Sequence, residues 1–168
     1  MAESFSPQHL PGDKAARYAE VGLQIAAVLD GEPDRTARMA TVAAMLAAAF
    51  DHYFWTGFYV VDPAKGEELV VGPYQGTLGC LRIAFGRGVC GVAAASRQTQ
   101  IVPDVNAFPG HIACDSRSRS EIVVPVMDAK GRLIAVFDVD STEPAAFDTT
   151  DAAGLERILS DTFARAVI

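Results

Sequence analysis

SEIVVPVMDAKGRLIAVFDVDS, residues 120–141, has the pattern of two β-strands joined by a polar, glycine-containing turn. Side chains alternate along a strand, so Asp138 and Asp140 share a face that Val136 continues toward the turn. Symmetry about Ala129 and Lys130 sets residue 128 opposite 131 and Glu121 opposite Asp138. Two-residue and four-residue turns give that same register. Opposed Cβ atoms lie about 5 Å apart, so Glu121, Asp138 and Asp140 gather on a face otherwise lined by valine and isoleucine. Such a cluster is either a solvated sheet face or a site. Like charges opposed across a strand pair destabilise it, but crowded carboxylates resist ionising together. One can then hold a proton near neutral pH and act as a general acid.

On either side of the hairpin the pattern turns helical. From Asp148 to the C-terminus, DTTDAAGLERILSDTFARAVI has a capping aspartate and a helical apolar stripe. Residues 13–30 form a helix with Tyr18, Val21, Ile25 and Val28 on its apolar face, ended by Gly31. A second helix, about 34–50, carries Met39, Val42, Met45, Leu46 and Ala49. Strands follow at 54–62, 68–73 and 80–85, then a short helix in GRGVCGVAAASRQ and a short strand at 100–105. The expected class is α+β: helices packed on a central antiparallel sheet, with the first and last helices side by side. Trp55 and Tyr59, four apart on one strand, share a face as core aromatics or as the wall of a ligand cage.

The 168 residues suit one domain, which should bury roughly 70% of its unfolded surface. Fourteen basic against 21 acidic residues give a net charge of −7, which argues against a nucleic-acid partner. The N-terminal segment lacks the pattern of a secretory signal, and no apolar run suits a membrane span. A cytoplasmic protein is expected. Three cysteines cannot form a complete set of internal disulfides, so they are reactive, metal-bound or buried.

Cys90, in GRGVCG, falls in the first turn of the short helix, where free amides and the helix dipole favour a thiolate. By this argument it ranks first among the cysteines as a reactive group, with a small buried residue in a glycine-rich turn as the plain alternative. Cys80 stands at a loop-to-strand junction after GTLG, a place for a mobile resolving thiol or a structural one. Cys114 heads the polar run CDSRSRS, in a loop leading to the Glu121 strand. Cys80, Cys90, His111 and Cys114 are zinc-type donors, but no CxxC occurs and only His111-x-x-Cys114 is closely spaced. No metal is expected.

At these residues the chain resembles the free methionine-R-sulfoxide reductases, a family built on a GAF domain. The resemblance is carried by WTGFY (55–59), GPYQG (72–76), GRGVCGVA (86–93), DVNAFPGHIACD (104–115), SEIVVPV (120–126) and FDVDS (137–141). It implies a single GAF domain over residues 1–168, reducing the R-epimer of free methionine sulfoxide without a bound cofactor. Cys114 would attack the sulfoxide sulfur and Cys80 would resolve the resulting sulfenic acid as a disulfide, with Cys90 auxiliary. This order displaces Cys90 from first place. Thioredoxin would recycle the disulfide with electrons from NADPH through thioredoxin reductase. Glu121, Asp138 and Asp140 would bind the substrate's polar groups and supply a proton, while Trp55 and Tyr59 would wall in its methyl end. The loop 115–120, with Asp115 and Ser116, would meet its carboxylate. A homodimer is expected by analogy of fold. The rival reading is a GAF domain that binds a regulatory ligand and catalyses nothing.

Overall fold

The computed structural model describes residues 5–165. Six strands form one sheet: β1 Trp55–Val61, β2 Glu68–Gln75, β3 Arg82–Ala84, β4 Gln100–Val102, β5 Ser120–Met127 and β6 Leu133–Ser141. Their order is β3-β2-β1-β6-β5-β4, with every neighbouring pair antiparallel. The helices are α1 Lys14–Val28, α2 Arg35–Ala49, α3 Gly88–Ser96 and α4 Thr149–Leu159, which continues as a π-helical turn through Ser160–Ala164. Residues 166–168 of the expected last helix lie outside the described residues.

Aspartates start three of the helices. Asp13 accepts from the Ala16 amide at 2.9 Å and Asp34 from that of Ala37 at 2.8 Å. Asp148 and Asp151 cap α4 reciprocally.

The sheet is covered on both faces, and each face has its own apolar cluster. Phe58, Ile122, Val124, Phe137 and Val139 point toward α1, α2 and α4 and form the larger one. Trp55, Tyr59, Val123 and Val136 point the other way, against α3 and the connecting loops. Tyr18, Val21 and Ile25 of α1 are buried as their spacing predicts, and so are all five residues named for α2. Val28 is not. It closes the last turn of α1 and is 45% exposed, because the apolar stripe drifts off the contact face there.

The 120–141 hairpin forms, but in a different register. Glu121 pairs with Asp140, and Asp138 pairs with Val123. Two features account for the change. The turn is wider, with Asp128 N–H bonded to the Arg132 carbonyl and the Asp128 side chain accepting from the Lys130 and Arg132 amides. In addition, the ladder slips between Val126 and Met127. The combined displacement is two residues, so no side chain changes face. Glu121, Asp138 and Asp140 stay together.

Candidate active site

Pairing carries this carboxylate face across three strands. Trp55 pairs with Asp140, Gly57 with Asp138 and Tyr59 with Val136, while Glu121 pairs with Asp140 on the far side. Aromatics on β1 and acids on β5 and β6 therefore stand side by side. Gly57 leaves the place above Asp138 without a side chain, and a Cβ there would strike Cα and Cβ of Tyr74. That close approach lets the Tyr74 ring stack on Trp55, with centroids 5.0 Å apart and planes 17° apart. Tyr59 stacks on the same indole at 5.4 Å and 18°. Trp55 Nε1 donates to the Thr77 carbonyl at 2.9 Å, which fixes the ring and ties the loop after β2 to it.

Trp55, Tyr59 and the three carboxylates line a cleft of about 520 Å³, part of it open to solvent. Glu121, Asp138 and Asp140 form its acidic wall, Trp55 and Tyr59 its aromatic wall, and the start of α3 with Cys90 closes a third side. Cys114 and Asp115 stand at its edge. Cys80 and Cys114 are joined by a disulfide with a Cα–Cα distance of 5.5 Å, bridging the loop after β2 to the loop before β5. Cys114 and Ser116 are exposed, and Ser116 is not among the cleft-lining residues.

Burial sets the protonation of the site. Glu121 and Asp138 are 5% exposed. Burial, then the charge of Asp140, pushes the Glu121 carboxyl well above its ordinary value. Asp138 is raised by burial, then by the charges of Asp140 and Glu121. Burial lifts Asp140 to about 6, against a hydrogen bond with Ser118 and the charge of His111. The Asp138 Oδ1 atom is buried with no hydrogen-bond partner. His111 Nε2 lies 3.6 Å from Glu121 Oε2.

Cys90 occupies the first turn of α3, as its sequence position predicts, yet the thiolate argument for it fails. The thiol is buried, and burial followed by the charges of Asp138 and Glu121 pushes its pKa well up. Burial and two neighbouring carboxyls outweigh the terminus of a nine-residue helix. Zinc on Cys80, Cys90, His111 and Cys114 loses two donors to the disulfide. Cys90, Glu121 and Asp138 do converge, with ligand-type atoms within 4.8 Å of one another. Burial favours the protonated form of all three groups. The cluster is suited to proton transfer.

Sequence reasoning missed Ser118, Tyr74 and Thr77. Their signals were weak: each acts from a loop or through a pairing irregularity, where no periodicity points to a face.

A curled sheet with α1 and α4 on one face and a cleft on the other fits a GAF domain, and the GAF domain family matches residues 17–167. The chain is similar over its length to the free methionine-R-sulfoxide reductase of Neisseria meningitidis, whose structure was solved in complex with its substrate. The two are 50% identical, the match covers 95% of this chain and 92% of that one, and the TM-score is 0.87. It is 40% identical to the free methionine-R-sulfoxide reductase of Escherichia coli K12, over 88% of this chain and 87% of that one. It is also 47% identical to GAF domain-containing protein A of Dictyostelium discoideum, over 88% and 91%. The chain belongs to the GAF-domain family, in the branch that holds the free methionine-R-sulfoxide reductases.

Proposed function

We propose that this protein reduces free methionine-R-sulfoxide to methionine, with Cys114 as the attacking thiol and Cys80 as the resolving one. One observation carries the assignment: the only disulfide among the described residues has Cys114 lining the same cleft as the buried carboxyls of Glu121, Asp138 and Asp140. Cys114 is exposed and paired with Cys80, whereas Cys90 is buried, with its pKa pushed well up by that burial.

The Cys114 thiolate attacks the sulfoxide sulfur while a protonated carboxyl of Glu121, Asp138 or Asp140 donates to the departing oxygen. The sulfoxide sulfur gains two electrons: its bond to oxygen and the transient bond to the Cys114 sulfur break as the oxygen passes to Cys114, leaving methionine and a sulfenic acid. The Cys80 thiol then attacks that sulfur, water leaves and the disulfide forms. A dithiol donor returns two electrons and two protons. We assign that role to thioredoxin, fed by NADPH through thioredoxin reductase, with no bound cofactor. The remaining carboxylates hold the substrate's ammonium group, backbone amides of 115–120 meet its carboxylate, and Trp55 and Tyr59 enclose its methyl end. We place the enzyme in the cytoplasm as a homodimer.

Turnover coupled to thioredoxin, thioredoxin reductase and NADPH tests the reaction. The R-epimer of the free amino acid should be consumed, whereas the S-epimer and an oxidised methionyl peptide should not. Equal turnover of peptide and free amino acid would contradict the reading of charge-matched ends.

A further inference from the structure

The two loops joined by the disulfide are also held by a tie that does not depend on it. Thr77 lies three residues before Cys80, and Asp115 directly follows Cys114. Thr77 Oγ1 donates to Asp115 Oδ2 at 2.8 Å. The same carboxylate is fixed from its own loop. The Arg117 amide and Nε donate to Oδ1 at 2.9 and 3.1 Å, and Nη2 donates to Oδ2 at 2.9 Å. Both oxygens are thereby engaged, which leaves the Asp115 side chain little capacity for a substrate. Each end of this chain of contacts is anchored beside β1. The Arg117 guanidinium lies 4.7 Å from the centroid of the Phe54 ring, and the Thr77 carbonyl holds the Trp55 indole.

None of these contacts involves a sulfur atom, so all of them can persist when the disulfide is open. We infer that Thr77, Asp115 and Arg117 form a clamp that keeps the Cys80 and Cys114 loops together through the reduced half of the cycle, positioning Cys80 to capture the sulfenic acid on Cys114. The inference rests on the proposed reaction. In the captured step the Cys80 S–H and the Cys114 S–OH bonds break, the S–S bond forms and water leaves. Its rate follows the effective concentration of Cys80 at Cys114, which the separation of the two loops controls. Cys114 is exposed, so a slow capture leaves its sulfenic acid open to further oxidation to the sulfinic acid. Arg117 and the ionised Asp115 make the tie charge-assisted, roughly twice as strong as a neutral hydrogen bond.

The test uses the reduced full chain and its Thr77→Val and Thr77→Ser variants, in the presence of a cyclic diketone that traps sulfenic acid. One arm receives one equivalent of free methionine-R-sulfoxide. The other receives one equivalent of hydrogen peroxide, which oxidises Cys114 without the sulfoxide. Valine keeps the shape of Thr77 and its carbonyl but removes the donor, and serine restores the donor. In both arms Thr77→Val should raise the trapped fraction at Cys114 about tenfold, as expected for loss of one charge-assisted hydrogen bond. Thr77→Ser should match the unaltered chain. Arg117→Gln, at an exposed side chain, should shift trapping in the same direction. Equal trapping in all variants would overturn the clamp. Raised trapping with peroxide, together with no methionine from any variant, would overturn the proposed reaction and leave the clamp standing.

Discussion

Cys90 and Cys114 show how environment, more than residue type, divides the work of the thiols. Cys90 has the helix terminus, but burial and two carboxylates keep its proton on. Cys114 has the exposed position and the partner. Cys114→Ser should therefore lower turnover by about a thousandfold or more, while Cys90→Ser should stay within about tenfold of the unaltered protein. Steady-state rates with free methionine-R-sulfoxide check both. Asp140 allows a stability prediction. Its carboxyl is raised from 3.8 to about 6, mainly by burial, so the folded state holds this proton more tightly than the unfolded chain does. That contribution is complete below pH 4 and is lost as pH rises through 6. Asp140→Asn removes the penalty of ionisation. Urea denaturation should find the variant more stable at pH 8 by on the order of 2–3 kcal/mol, with the difference vanishing at pH 4.

Among the elements, the hairpin β5–β6 shows what a sequence can and cannot specify. The face occupied by Glu121, Asp138 and Asp140 was legible, because strand alternation has a period of two and an even displacement preserves it. The partner of Glu121 was not legible, because the width of the turn and the slip at Val126/Met127 arise from hydrogen bonds of Asp128 and local twist. The helix starts at Asp13, Asp34 and Asp148 were legible for a local reason: each cap is decided within four residues. The buried link between α1 and α4 was not, since it joins residues far apart in sequence. There Tyr18 OH donates to Asp151 Oδ1 at 2.8 Å and lies 2.5 Å from the Tyr53 hydroxyl, while Lys14 Nζ donates to Asp151 Oδ2 at 2.8 Å. Tyr18→Phe leaves Asp151, which is fully buried, short of a donor. It should cost about 1–3 kcal/mol by equilibrium denaturation, with the activity of the folded fraction unchanged.

Across the whole molecule the sheet separates stability from chemistry. One face packs the three long helices into the larger apolar cluster, and the other holds the aromatic wall, the carboxylates and the thiols. Substitutions on the helical side should therefore lower stability without changing the protonation of the cleft. Gly154 on α4 is one such site, because a Cβ there would strike the Tyr18 ring. Gly154→Ala should destabilise by about 1–3 kcal/mol yet leave the pH profile of turnover unaltered. The disulfide partners became legible only through the resemblance of six segments to a known family. Loop residues 80 and 114 lie 34 positions apart, and nothing periodic connects them. This arrangement has a direct chemical consequence. Reduced protein is given one equivalent of free methionine-R-sulfoxide with no reductant, and the products are mapped by peptide mass spectrometry. One methionine should appear for each Cys80–Cys114 disulfide formed, with Cys90 remaining a free thiol and the S-epimer giving neither product. Absence of methionine, or a disulfide built on Cys90, would overturn the roles assigned to Cys114 and Cys80.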